Sequence, residues 1–404
     1  MDSVQEAHIA EEKNAGHKKS FYSIHTFEIR MPLSPDNQRR YELFLEKYCV
    51  HNEKRTNYRN RLYFSYFQYC QNYRYANNFT CYDNENLFRL GISDICMVKK
   101  NYLLYGTYIC NVEYSITFRV NPRILLDFPD NKYIRIVPCD ELENIMPALI
   151  SVFKPYGFQQ NDLERAFIKR LDICANINLG DQYLAEKYLK LLRKGGFYMG
   201  LRSRFMPVSP KSHRRMHPPN EVRFINRSAD SYTLETLSVY LKHPQMLEHS
   251  ARYDAGEIER AKGQIRFELR TCSRKNIYLR KKYGCDVPTD LISSAEIIGS
   301  DIFTKYLEGL YGKGKFVKYS RAVELIEKAE NHHKATKDTM IQMVNQARNT
   351  DLSDAYGILP PEKIFWFRKY FNDLGISPIT LRDSWKADFF ENPVVYIRTR
   401  NVNE

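Results

Sequence analysis

Three short stretches of this 404-residue chain place charged or hydroxyl side chains at every second position. Arg170, Asp172 and Asn176 alternate with Leu171, Ile173, Ala175 and Ile177; Ser238, Tyr240 and Lys242 alternate with Leu237, Val239 and Leu241; Arg266, Glu268 and Arg270 alternate with Ile265, Phe267 and Leu269. An Asp and a Glu on one surface can hold Mg2+ or Mn2+, hard cations that prefer oxygen ligands and leave coordination positions for a phosphate. A phenol is a weak nucleophile near neutral pH. Attack by Tyr240 on a phosphodiester therefore calls for a metal that polarises the phosphate, with Lys242 and an arginine stabilising the phenolate. The bland alternative makes these faces merely solvated, with Arg170, Asp172, Arg266 and Glu268 as cross-strand ion pairs. Both readings require strands; the catalytic one also requires that Asp172, Tyr240 and Glu268 line one groove edged by Arg and Lys.

Strand side chains alternate faces, so each stretch has an apolar side for a core and a polar side for a ligand. Two earlier stretches alternate likewise: 24–31, with His25, Phe27, Ile29 and Met31 on one side and Thr26, Glu28 and Arg30 on the other, and 111–120, with Tyr114, Ile116, Phe118 and Val120 together. Residues 37–50 switch to helical periodicity, whereas 51–110, crowded with Tyr, Asn and Phe, give only short strands and long loops. Asp140 and Glu143 have capping-box spacing for a helix over 141–154, and Asp181 can cap a helix ending at Leu192 before Gly195 and Gly196. Strand-like pieces at 197–206 and 221–226 flank a basic loop containing Lys211, His213, Arg214, Arg215 and His217, and a polar helical segment spans 244–260. Helical patterns follow at 295–310, 319–347, 361–374 and about 379–390; the last two, joined by Gly375-Ile-Ser-Pro378, have helix-turn-helix form near Arg382 and Trp385. The expected fold is α+β, a mostly antiparallel sheet with flanking helices followed by a helical C-terminal region. Its expected divisions are a disordered tail at 1–20, an α+β domain at 21–290 and a helical, DNA-binding region at 291–404.

With 43% hydrophobic residues the chain can bury a substantial core, and 61 Lys and Arg against 48 acidic residues give a formal charge of +13. That excess favours polyanions, with nucleic acid ahead of an anionic membrane surface. The expected contacts with DNA phosphates are Arg170, Arg266, Lys211, Arg214 and Arg215, together with Arg274, Lys275, Lys281 and Lys282, where Tyr278 and Tyr283 are interleaved for stacking on unpaired bases. No signal-peptide-like run opens the chain and no apolar stretch reaches spanning length, so a cytoplasmic protein without membrane contact is expected. Nine cysteines, scattered without a CxxC pair or zinc spacing, read as reduced core residues.

Taken in order, 170–178 with Asp172, the helix 188–196, Val239-Tyr-Leu-Lys-His-Pro-Gln245 and Ile265-Arg-Phe-Glu-Leu-Arg270 resemble the rolling-circle replication initiators of plasmids and phages, over about residues 165–285. The resemblance implies a tyrosine DNA nickase: Tyr240 as nucleophile, Lys242 its basic neighbour, and Asp172 with Glu268 holding Mg2+ or Mn2+. It further implies origin DNA, single-stranded at the nick, as substrate, with a host helicase and polymerase as partners and a homodimer as an assembly open to it. Leu241 stands where that family commonly has an acid, and a paired His-x-His signature is absent. The alternative is a non-catalytic DNA- or RNA-binding protein on the same scaffold, and a third class is a structural protein with an incidentally basic surface.

Overall fold

A computed structural model of the protein describes residues 21–52, 63–66, 73–104, 107–127, 136–164, 166–198, 200–203, 206–207, 215–216, 219–227, 233–250 and 253–399. The expected tail at 1–20 and the loop residues Lys211, His213, Arg214 and His217 lie outside the described residues. The strands are β1 (Ser23–Leu33), β2 (Val50–His51), β3 (Tyr63–Tyr66), β4 (Tyr73–Asp83), β5 (Ile92–Leu104), β6 (Thr107–Val120), β7 (Phe167–Asn178), β8 (Arg202–Ser203), β9 (Met206–Pro207), β10 (Arg215–Met216), β11 (Glu221–Arg227), β12 (Thr233–Leu241), β13 (Gln264–Cys272), β14 (Phe316–Val317) and β15 (Phe389–Phe390). Among the described residues eleven of them form one sheet in the order β2-β4-β5-β6-β1-β7-β13-β12-β11-β8, with β3 paired to β4. Every pairing within it is antiparallel. The fold is α+β, as the alternating strands lead one to expect.

One face of this sheet is the wall of the core. Phe27, Ile29, Leu171, Ile173, Leu237, Val239, Phe267 and Leu269 are all buried on it, each such side chain contributing roughly 1.5–3 kcal/mol relative to exposure. The helix Gln182–Leu192 lies against β11, β12 and β13; Asp181 caps it by accepting the Leu184 N–H at 2.8 Å. Tyr188 from that helix meets Phe390 and Tyr396 with ring centroids 5.3 Å apart, so C-terminal segments cover the same apolar face. The opposite face carries the polar halves of β1, β7, β13 and β12, partly covered by the helix Lys242–Leu247.

Five expected elements differ. Residues 73–83 and 92–104, placed among short strands and loops, form two long paired strands; their many Asn and Lys residues hid the strand propensity of the Tyr, Ile and Val between them. The helix expected from residue 141 begins instead as a 3-10 turn over Cys139–Asn144 and becomes α-helical at Ile145–Phe153, without a side-chain cap. Pro147 then falls in the first α-helical turn, where its missing N–H has no partner to lose. The long helices expected at 244–260 and 319–347 are each broken in two, into Lys242–Leu247 and Ala255–Arg260, and into Tyr319–Glu327 and Lys334–Asn349. The helix expected at 379–390 is absent, and the helix-turn-helix reading goes with it. Ile376, Ile379 and Leu381 are buried in an extended segment that bridges Lys315 and Lys318 in parallel before β15 pairs with β14. Pro378 and the β-branched Ile379 and Thr380 favour that extended path over a helix.

Candidate functional site

The register brings the three alternating stretches side by side, with β13 between β7 and β12. Asp172 lies opposite Arg270, which lies opposite Thr236; Glu268 lies between Cys174 and Ser238; Arg266 lies between Asn176 and Tyr240. On the other side of β7, Thr26 of β1 faces Asp172 and Glu28 faces Arg170. All of these polar side chains project from the sheet face that the core leaves uncovered.

β1 adds a residue that two-residue periodicity puts on the wrong side. Ile24 pairs with Ile173 but Thr26 with Asp172, so His25 is an extra residue in the ladder, a β-bulge. Ile24 and Phe27 both stay in the core, and His25 joins Thr26 on the polar face instead of Phe27 as alternation had it. The start of the strand is pinned from outside: Glu296 accepts the backbone N–H groups of Phe21 and Tyr22 at 3.3 and 2.7 Å, and the Tyr22 hydroxyl lies 2.6 Å from that of Thr304.

His25 Nδ1 lies 3.0 Å from Glu268 Oε2, and the Tyr240 hydroxyl donates to the same oxygen at 3.2 Å. His25, Asp172 and Glu268 each bring one potential ligand atom within 4.8 Å of the others. Asp172 is fully enclosed: Thr26 donates to Oδ2 at 2.8 Å, Arg170 Nε to Oδ1 at 2.7 Å with its Nη2 on Oδ2, and Arg270 Nε reaches Oδ1 at 3.2 Å. Arg270 also donates to Glu268 Oε1 at 3.1 Å. Over these groups opens a groove of about 810 Å³, lined by Tyr240, Glu268, Arg119, Lys169, Arg170, Arg223 and Arg270 among others. Asp172 sits beneath the floor of that groove, under Arg170 and Arg270, and not on its surface.

Charge states follow from these neighbours. Burial and the Arg266 charge hold the His25 imidazole below its ordinary 6.5, outweighing Glu268, so it is neutral at pH 7. Burial acts to raise Glu268, yet the His25 hydrogen bond with the Arg270 and Arg266 charges holds its carboxyl well below the usual range. Burial and then the Glu268 charge push the Tyr240 phenol well above 10. Lys242 is driven well below 10.5 by burial and by Arg266. Its ammonium donates to Gln245 Oε1 at 2.9 Å, whereas Arg266, buried and bonded through Nε to Asn176 at 2.8 Å, hydrogen-bonds the Tyr240 oxygen. Arg266, expected as a DNA contact, is thus a support for the phenol, the position expected of Lys242.

A neutral imidazole and two carboxylates are a donor set suited to Mg2+ or Mn2+, with room for phosphate and water as further ligands. The groups present fit such an ion.

The remaining expected contacts scatter. Arg274, Lys281 and Lys282 are exposed on the helix Ser273–Lys282, with Lys282 paired to Asp301 at 2.5 Å. Lys275 turns inward, its ammonium 2.7 Å from the buried Glu235. Arg215 lies in β10. The sequence reading missed His25 as a site residue along with Arg119, Lys169 and Arg223 on the groove wall: Lys169 is on β7 itself, His25 and Arg223 are on the strands flanking the three chosen, and Arg119 is on β6, one strand further out.

No protein-family model matches the chain, and no curated protein is significantly similar to it. Among solved structures it aligns with a rolling circle replication initiator protein from Geobacillus stearothermophilus, at 11% identity, over 82% of this chain and 97% of that one. The TM-score is 0.26, and an overlap that loose carries no argument for fold or function. Among the described residues no helix is long and apolar enough to cross a membrane.

Proposed function

We propose that the protein is a DNA strand-nicking and strand-transfer enzyme of the rolling-circle initiator type, with Tyr240 as nucleophile. The observation that supports it is the tyrosine hydroxyl 3.2 Å from Glu268 Oε2, beside a His25, Asp172 and Glu268 ligand set, in a groove walled by arginines. In the reaction the Tyr240 oxygen forms a bond to phosphorus, and the phosphorus bond to the 3′ oxygen breaks. The phenol gives up its proton, the departing oxygen takes one to become a free 3′ hydroxyl, and the 5′ phosphate stays on the tyrosine as a diester.

The chain's residues prepare each part of this. Left alone, Tyr240 is held protonated by burial and by the negative charge of Glu268. His25, Asp172 and Glu268 would hold a divalent cation, which would supply Lewis-acid polarisation of the phosphate and offset the carboxylate charge beside the phenol. Arg266 binds the phenol oxygen and favours its ionised form. Arg270, 46% exposed, is the cation free to swing from Asp172 and Glu268 to an incoming phosphate, while Arg119, Lys169 and Arg223 meet phosphates further along the strand.

The test uses a labelled random-sequence pool of single-stranded DNA with Mn2+, scored for a covalent protein-DNA band that survives detergent. The wild type should give the band; Tyr240→Phe should bind the pool equally and give none. An adduct with Tyr240→Phe at the wild-type rate makes the assignment wrong. A second reading, a non-catalytic nucleic-acid-binding sheet, is favoured by the enclosure of Asp172 among Arg170, Arg270 and Thr26, which is the geometry of a structural ion pair. Absence of both Mn2+ binding and adduct, with DNA binding retained, would select it.

A further inference from the structure

Beyond Arg170, toward the first residue of β7, the floor of the groove changes character. A second bulge lies there: Glu28 pairs with Arg170 but Ile29 with Ile168, which makes Lys169 the extra residue. The consequence is a change of face. Ile168 turns into the core, and Phe167 turns out onto the groove side, 48% exposed. It forms one wall of a separate cavity of about 470 Å³. Leu33, Tyr114 and Ile277 supply further apolar lining, and Arg30, Arg280 and the acidic Glu113 stand at its rim. Lys169 lines both this cavity and the arginine groove, so the two adjoin at that residue.

We propose that this cavity holds one unpaired nucleobase of the DNA strand whose phosphates lie in the groove. The proposal rests on the reading of that groove as a single-strand site. An exposed Phe with a neighbouring Tyr offers a ring on which any base can stack. Arg30, Lys169 and Arg280 around the opening match the phosphates on either side of such a base, and the volume lies within the range of small-ligand pockets. Five residues of strand separate Phe167 from Asp172, roughly 16 Å at the rise of a β-strand. At about 3.4 Å per nucleotide in a stacked strand, that places the captured base at most about five nucleotides from the phosphate under attack, and fewer in an extended one. The helix Ser273–Lys282 forms the far wall through Ile277 and is held to β7 by Asn276, which donates to the Ile168 carbonyl at 3.0 Å, so the cavity keeps its shape without a ligand.

The experiment compares two labelled 15-mers by fluorescence anisotropy in EDTA, one oligodeoxythymidylate and one abasic throughout, so that neither metal nor nicking enters the readout. The wild type should bind the thymidylate oligomer more tightly than the abasic one. Phe167→Ala should weaken thymidylate binding by roughly five- to hundredfold, the range of one base stack, and leave abasic binding unchanged; Phe167→Trp should restore the difference. Equal weakening for both oligomers, or none for either, overturns the base pocket while leaving the groove as a strand site. Failure of the wild type to bind either oligomer overturns the pocket and the groove reading together, whereas a missing covalent adduct alone touches neither.

Discussion

Two clusters in this molecule are built from nearly the same parts. Glu235 and Glu268 are both enclosed carboxylates on neighbouring central strands, the first near the start of β12 and the second in the middle of β13, and each accepts a hydrogen bond from a tyrosine hydroxyl and an ion pair from a basic side chain. Around Glu235 the shell is complete: Tyr306 donates to both oxygens at 2.8 and 2.9 Å, Lys275 lies at 2.7 Å and Asn226 at 3.2 Å. Among the described residues no second acid joins it in a group that could hold a metal ion. Around Glu268 a second carboxylate and an imidazole crowd the same space under an open groove. The first arrangement joins the helices Ser273–Lys282 and Thr304–Tyr311 to β12 and is finished. The second brings two carboxylates and an imidazole together, with Glu268 lining the open groove and Asp172 just beneath its floor. Residue types are shared; cover and a second acid separate a staple from a site.

The contrast breaks if the clusters respond alike to mutation. The largest expected effect is at the closed one: Lys275→Met should strand a buried carboxylate and cost about 3–5 kcal/mol in urea unfolding. The open cluster and its rim should be sensitive to acid. Glu28 lies among Lys169, Arg119 and Arg170; burial acts to raise its carboxyl, but those cations hold it down at about 2. A carboxyl lowered on folding stabilises above its unfolded pKa of about 4.5 and loses that contribution as pH falls toward 2, so wild type should lose about 3 kcal/mol over that window. Glu28→Gln should remove that part of the pH dependence in thermal unfolding measured at each pH. Next in size, His25→Ala should weaken Mn2+ binding, read by calorimetry, by at least about tenfold. In the wild type, Mn2+ affinity should fall as pH drops below 6.5, where protons compete for an imidazole whose own pKa is held under that value. The smallest stability effect should be Arg270→Met, within about 1 kcal/mol because the side chain is half exposed. Its mark should appear in the salt dependence of DNA binding, with a slope reduced by about one phosphate contact.

Much of the polar face was legible because the strands that carry it keep strict alternation. Leu171 to Ile177 and Ile265 to Leu269 have one side wholly apolar, and burying that side leaves Asp172 and Glu268 a single direction to point. The adjacency of the strands was not in the alternation itself. His25 escaped because a bulge is a one-residue departure from the very period used to assign faces, and no residue type marks it. Lys275 escaped for another reason: its basic run reads as a row of phosphate contacts, and nothing local reveals a glutamate forty positions earlier that needs a counterion. The segment 376–390 departs from the expected helix where the buried Ile376, Ile379 and Leu381 imitate helical spacing around Pro378.

The two bulges between β1 and β7 carry a consequence for how this surface can be built or dismantled. One adds His25 to β1 and the other adds Lys169 to β7, so the pairing is offset by one residue only between them; Ile24 with Ile173 on one side and Ile29 with Ile168 on the other share a single register. Neither extra residue is tied into the next strand out, since the β6 ladder begins at Phe27 and the β13 ladder ends at Arg170. Deleting both residues together should therefore yield an unbroken ladder with Thr26, Glu28, Asp172, Arg170 and Phe167 still facing the groove and every core residue still inside. Deleting either alone should remove its own bulge and leave the other, with the pairs on both sides of the deletion unchanged. The imidazole and the lysine are, in this sense, single insertions into a regular sheet, each removable at its own place, and the doubly deleted chain would be the same fold without the His25 imidazole on its polar face.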